Sequence, residues 1–210
     1  MFVGLHGGVH QIDFVGDRLF AVDTYRQQIV EIDEEWKNAV NHWPLPPTKD
    51  RDSDIYAHIN SLLFKDERFY IMMHNMGRKN SEILVTDANF QELSREPIEA
   101  EYGHDVVPLE DGSFMFCNSM KGELVVQGGP TTKVDALFTR GLSINEDEIV
   151  VGSSLFGDRI HRDLLPGFVT FMDRDYRRTG RLHIEASPTQ IRRLDGWDYS
   201  LSNYHLRASE

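Results

Sequence analysis

Gln28-Ile29-Val30-Glu31-Ile32-Asp33, followed by Glu34-Glu35-Trp36, decides the fold because the chain repeats it. Glu82-Ile83-Leu84-Val85-Thr86-Asp87 is followed by Ala88-Asn89-Phe90, and Phe168-Val169-Thr170-Phe171-Met172-Asp173 by Arg174-Asp175-Tyr176. Each is a β-rich run ended by an Asp, two further residues and an aromatic. The Asp has a task at a tight turn: its carboxylate accepts backbone N–H groups two residues on, and the aromatic packs back on the sheet. The Asps lie 54 and then 86 positions apart. The second gap is about two periods of ~43, the length of a four-stranded propeller blade. A degenerate copy at Gly122-Glu123-Leu124-Val125-Val126 falls inside it.

Upstream of each copy stands a pair of short strands. They read His10–Phe14 with Arg18–Thr24, Asn60–Phe64 with Arg68–His74, Asp105–Leu109 with Ser113–Ser119, and Arg140–Ile144 with Glu148–Ser154. Gly16-Asp17, Asp66-Glu67, Asp111-Gly112 and Glu146-Asp147 sit between them as hairpin-turn residues. A fifth copy runs from Thr189-Gln190-Ile191 through Asp195-Gly196 to Leu201-Ser202-Asn203. Five copies give about 42 residues each. The apolar runs are short, β-branched or aromatic, with no long helical period. A β-sandwich also has evenly spaced strands, but the two-part repeat favours an all-β chain folded as a single β-propeller domain over residues 1–210. Five blades are expected, with four or six as alternatives. Met1–Leu5 is expected to close the last blade by adding a strand.

Leu19-Phe20-Ala21-Val22-Asp23-Thr24-Tyr25-Arg26-Gln27-Gln28-Ile29-Val30-Glu31-Ile32-Asp33 resembles the NHL-type repeat, whose wider relatives include gluconolactonase-like propellers. The match covers one blade. The later blades replace Asp23-Thr24 by Met73-His74, Asn118-Ser119 and Ser153-Ser154. The resemblance implies a propeller, generally of six blades. It implies several activities: protein- or RNA-binding scaffolds, zinc-dependent lyases and calcium-dependent lactonases. Fold does not choose among them.

Composition removes some classes. The chain has 34 acidic and 22 basic residues, a net charge of −12. A nucleic-acid or anionic-membrane partner needs clustered Lys and Arg, so neither is expected. Forty percent hydrophobic content is too apolar for disorder. No run approaches the ~20 apolar residues of a membrane span, and the first residues lack the charged start of a secretory signal. A cytoplasmic location is the expectation. Cys117 is the single cysteine, so no disulfide framework within the chain is available.

Aligning the repeats places one polar residue per blade at the mouth of the innermost strand: His10, Asn60, Asp105 and Arg140, with Thr189 or Gln190 in the fifth copy. A slip of one residue exchanges Asp105 for His104, so both are kept. The apolar residues two positions on, Ile12, Leu62, Val107 and Leu142, support the register. Nine histidines are present, and His6, His10, His58, His74 and His104 fall at or near strand mouths. Neutral imidazole is the commonest protein ligand for zinc and similar ions. His10, His58, Asn60, His104 and Asp105 are therefore the candidate ligands of a divalent metal (zinc, iron, manganese or calcium). Arg140 is the candidate grip on an anionic small-molecule substrate, and His74 and Tyr25 are candidate acid–base groups. Each has a plainer reading as a turn residue bonded to backbone. The function expected is a hydrolase or lyase with a metal-assisted site at the axial mouth. The alternative is a non-catalytic propeller that binds a sugar, peptide or protein partner and uses Tyr25, Trp43 and Tyr102. Pro44–Asp54 reads as a connector or a lid, and Gly157–Gly167 as a ligand-facing loop.

Overall fold

The computed structural model describes residue 5 and residues 8–157, 165–194 and 196–207. Sixteen strands are described, in four antiparallel four-stranded sheets, each a simple meander in chain order. The first blade is β1 (Val9–Val15), β2 (Arg18–Asp23), β3 (Gln28–Ile32) and β4 (Ala39–His42). The second is β5 (Ile59–Lys65), β6 (Arg68–Met73), β7 (Glu82–Asp87) and β8 (Glu92–Pro97). The third is β9 (His104–Pro108), β10 (Phe114–Asn118), β11 (Glu123–Val126) and β12 (Thr131–Lys133). The fourth is β13 (Phe138–Ile144), β14 (Glu148–Ser154), β15 (Gly167–Asp173) and β16 (Arg178–Ile184). One short helix, α1 (Ser202–Arg207), follows. This is an all-β chain of β-propeller type with four blades. It divides into two compact units, one reaching Glu99 and including the segment from Leu201, the other Ala100–Ser200.

The repeated Asp does what its position asks. Asp33 Oδ1 accepts from Lys37 N at 2.8 Å, Asp87 Oδ1 from Asn89 N at 2.9 Å and Gln91 N at 2.8 Å, and Asp173 Oδ1 from Asp175 N at 3.0 Å and Arg177 N at 2.8 Å. These bonds hold the Asp33 carboxyl below the usual carboxylate range. The aromatic three residues on takes the left-handed conformation each time, with φ of 58° at Trp36, 61° at Phe90 and 62° at Tyr176. Phe90 then packs back as expected, stacked on Phe69 at 4.4 Å between ring centroids and buried with Phe20, Ile71 and Leu84. Trp36 stays half exposed against Phe14.

The expected fifth blade is absent. The described residues of the 185–201 segment form no strand, and Leu194 is 97% exposed. The segment carries Arg192, Arg193 and Asp198 among its few apolar residues. It serves the open edges of inner strands instead. In the second unit Asp198 accepts from Ile144 N at 3.1 Å and Ser143 Oγ at 2.7 Å, and Ser200 Oγ donates to Leu142 O at 2.8 Å. In the first unit Ser202 Oγ accepts from Phe64 N and donates to Asp13 Oδ2, both at 2.7 Å. An edge strand leaves a row of unpaired backbone groups, and these side chains answer part of it. Residues 1–4, expected to close the last blade, lie outside the described residues, as do Asp195, His6 and residues 158–164 of the expected ligand-facing loop.

Candidate functional site

The inner strands share one irregularity. Each carries one extra residue relative to its partner. The register slips between Val9 and Gln11, between Ile59 and Ser61, between His104 and Val107, and between Thr139 and Leu142. A β-bulge bends the strand and re-aims the side chains beside it. Counting back four residues from the turn-proximal pairs Phe14–Leu19, Phe64–Phe69, Pro108–Phe114 and Ile144–Ile149 reaches His10, Asn60, His104 and Arg140. The register thus chooses His104 over Asp105 for this position, and Asp105 takes the next one, equivalent to Gln11.

That next position is a clamp. Gln11 Oε1 accepts from the Leu62 N–H at 2.6 Å, tying β1 to β5. Asp105 Oδ2 accepts from the Gly141 N–H at 2.8 Å, tying β9 to β13. Because Gln11 and Asp13 turn inward for these bonds, Ile12 is 43% exposed, unlike Leu62, Val107 and Leu142, which are buried. The expected apolar register therefore holds in three blades, and in β1 the inward clamp overrides it.

In the first unit three imidazoles meet. His58 and His74 stack with centroids 3.7 Å apart and planes 25° from parallel, and His10 meets His58 edge-on at 5.1 Å. The His74 N–H bonds to the His58 carbonyl at 3.4 Å, which brings the rings together. His58 has φ 52°, and Asn75 and Met76, in the 3₁₀ turn that follows His74, both have φ 55°. Left-handed backbone at non-glycine residues costs on the order of 1–3 kcal/mol each and persists where the surroundings enforce it. Hydrogen bonds assign the tautomers. His74 Nδ1 accepts from Met76 N at 3.0 Å, so the proton of the neutral ring sits on Nε2. Tyr56 Oη donates to Thr24 O at 2.9 Å, so at its 3.4 Å approach to His58 Nδ1 the oxygen accepts and His58 carries Nδ1–H. His58 then presents a lone pair on Nε2 where His74 presents an N–H. Thr24 Oγ1 is buried beside this network with no partner among the described residues.

In the second unit His104 Nδ1 lies 2.8 Å from Tyr102 O and 3.0 Å from Ser119 Oγ. A carbonyl only accepts, so the proton of neutral His104 is on Nδ1. Asp105 is part-buried, and desolvation of its carboxyl raises its pKa above the usual range against the Gly141 N–H and the charges of Arg192 and Arg140. Cys117 donates to Asp105, and burial first, then the Asp105 charge, pushes the thiol well up, so it is an inert thiol rather than a nucleophile. Arg140 is 4% exposed and its Nε donates to Pro188 O at 2.8 Å, which fixes it in the protein interior.

Asn60 is buried and accepts from Ser61 Oγ at 3.1 Å, and Tyr25 is part-buried in the β2–β3 turn. Asp23 accepts from Arg26 N at 3.3 Å and Gln28 Nε2 at 3.1 Å, an ordinary turn role. The same acid–amide pair recurs reversed in the third blade, where Asn118 Nδ2 donates to Glu123 Oε2 at 3.1 Å. Sequence reading missed Tyr56, Gln27 and Gln11. Gln27, fully buried, donates to Pro46 O and Ile55 O, each at 3.0 Å, and accepts from Ala57 N. It thereby fixes the Pro44–Asp54 connector and delivers Tyr56 to His58. The only signal was its place in a β2–β3 turn. Among the described residues no group of three or more His, Cys, Asp or Glu is arranged to hold a metal ion. On His74 the Nδ1 lone pair is already taken by the Met76 N–H.

Neither a protein-family model nor a curated protein matches the chain. Solved structures do. Hydrazine synthase of Kuenenia stuttgartiensis superposes with a TM-score of 0.53 at 12% identity, over 85% of this chain and 49% of that one. A protein of unknown function from Bacteroides caccae gives 0.56 at 10% identity, over 87% and 70%. The chain thus spans about half the length of the hydrazine synthase chain. At such identity the likeness speaks for the β-propeller fold, and the NHL-type assignment stays a resemblance of the first blade. No helix among the described residues is long and apolar enough to cross a membrane.

Proposed function

We propose that the protein is a small-molecule enzyme of hydrolase or lyase type that works by imidazole acid–base chemistry at His58 and His74, with His10 beside them. The observation that carries this reading is the stacked pair in opposite tautomers. His58 Nε2 is the base that takes the substrate proton; the imidazolium so formed is the acid that returns it to the leaving group, while the neutral His74 N–H donates a hydrogen bond to the charge that develops. The local backbone strain at His58, Asn75 and Met76 supports it. Like charges in rings this close repel by about 4 kcal/mol at an effective dielectric of 20, so the pair carries one added proton far more readily than two. The test is a panel of lactones, carboxylic esters and β-elimination substrates assayed with wild type, His58→Gln and His74→Gln. An activity reduced by about 100-fold or more in both variants, with unchanged melting temperatures, supports the reading. An activity indifferent to both substitutions contradicts it.

The non-catalytic alternative has its own observation, an open cleft away from the imidazoles.

A further inference from the structure

On the first blade, Arg26, Gln28, Asn41, Trp43, Pro47, Thr48 and Lys49 line a cavity of about 440 Å³. Binding pockets for small ligands run from about 300 to 1,000 Å³, so the volume suits a sugar or a short saccharide. Its chemistry is unlike the surrounding surface. In a chain of net charge −12 the lining holds two cations and no carboxylate. Lys49 is exposed and makes no ion pair among the described residues, and Arg26, which lines the cleft, lies 3.5 Å from the buried Asp23 carboxylate. Trp43 leaves half its surface open, a flat apolar plate of the kind that aromatic residues offer a ligand face. Asn41, Gln28 and Thr48 add amide and hydroxyl groups that both donate and accept. Gln28 is 4% exposed, and its Nε2 bond to Asp23 fixes the amide rigidly.

We propose that this cleft binds an anionic sugar, a pyranose bearing a carboxylate or a phosphate. The C–H face of the ring lies on Trp43. The hydroxyls meet Asn41, Gln28 and Thr48, and the anionic group meets Arg26 and Lys49. The site is separate from the imidazole cluster and stands whether or not His58 and His74 are catalytic.

The experiment is isothermal titration of the full chain with glucuronate, glucose 6-phosphate and glucose, repeated with Trp43→Ala and Lys49→Glu. Both substitutions fall at exposed positions that the fold tolerates, and circular dichroism checks each variant. The expected result is saturable binding of at least one anionic sugar with a Kd of about 1 mM or tighter. Glucose binds at least about tenfold more weakly, both variants lose about tenfold or more, and affinity falls as salt rises. Which anion binds tells carboxylate from phosphate. No saturable binding to either anion up to about 10 mM, equal affinity for glucose, or binding untouched by Trp43→Ala overturns the proposal.

Discussion

In the unit that carries β1 and β5, Gln11 reaches the Leu62 N–H; in the unit that carries β9 and β13, Asp105 reaches the Gly141 N–H. The two side chains occupy equivalent positions and do equivalent work with different chemistry. The amide is neutral at every pH and is joined by Asp13 and Ser202. The carboxyl bears the cost of desolvation and takes a thiol as its second donor. The difference teaches that the position after the column of His10, Asn60, His104 and Arg140 is structural. Polar residues there mark an edge that needs a partner. The column itself is where chemistry differs between units, with an imidazole packed edge-on against His58 and a buried amide in one and a backbone-bonded imidazole and an interior guanidinium in the other.

The comparison can be broken most directly at the clamps. Asp105→Ala is expected to cost about 3 kcal/mol, since it strands a buried N–H and removes a second hydrogen bond, while Gln11→Ala costs about 1–2 kcal/mol. Urea denaturation of both variants measures this, and equal costs would deny the carboxyl its extra burden. Ser202→Ala is expected to cost about 1–2 kcal/mol in the same assay, because it removes two bonds that tie α1 to β1 and β5.

A smaller effect sharpens the contrast by pH. The folded state holds Asp105 above its unfolded pKa of about 4, so it binds the proton more tightly than the unfolded chain does. Wild type therefore loses stability as pH rises from about 4 through the folded pKa. Asp105→Asn has no such loss, and its melting temperature relative to wild type should climb across that window and then level off. Gln11→Glu should lower stability as pH rises in the same window, through burial of a new charge. The smallest expected effect is that of metal. Chelation, or addition of zinc, manganese, iron or calcium, is expected to leave the melting temperature unchanged. A stoichiometric ion that raises it and is lost in His10→Ala would restore the ligand role expected for His10.

Much of this was legible in the chain. The Asp-x-x-aromatic repeat named its own turn, and the bond two residues on forms at Asp87 and Asp173, while Asp33 reaches Lys37 and Asn38 instead. The strand pairs located every inner strand and its hairpin. The blade count was not legible, because Thr189–Asn203 keeps the spacing of a copy. What removes it from the sheets is tertiary: Asp198, Ser200 and Ser202 bond to strand edges that a sequence does not display. The bulges were hidden for a related reason. One extra residue slips the register without changing the apolar pattern on either side, and only in β1, where Gln11 and Asp13 turn inward, is Ile12 left exposed. His58 and His74 were visible as histidines near strand mouths, but their stacking depends on left-handed backbone at His58 and on Tyr56, held by Gln27.

The central claim is that His58 and His74 form a neutral pair in opposite tautomers. It is tested most directly by two-bond ¹⁵N–¹H NMR correlation spectra of the imidazoles near pH 7, assigned with His58→Gln and His74→Gln. The account predicts an Nδ1–H pattern for His58 and an Nε2–H pattern for His74. The same tautomer on both rings, or two imidazolium patterns, would contradict it.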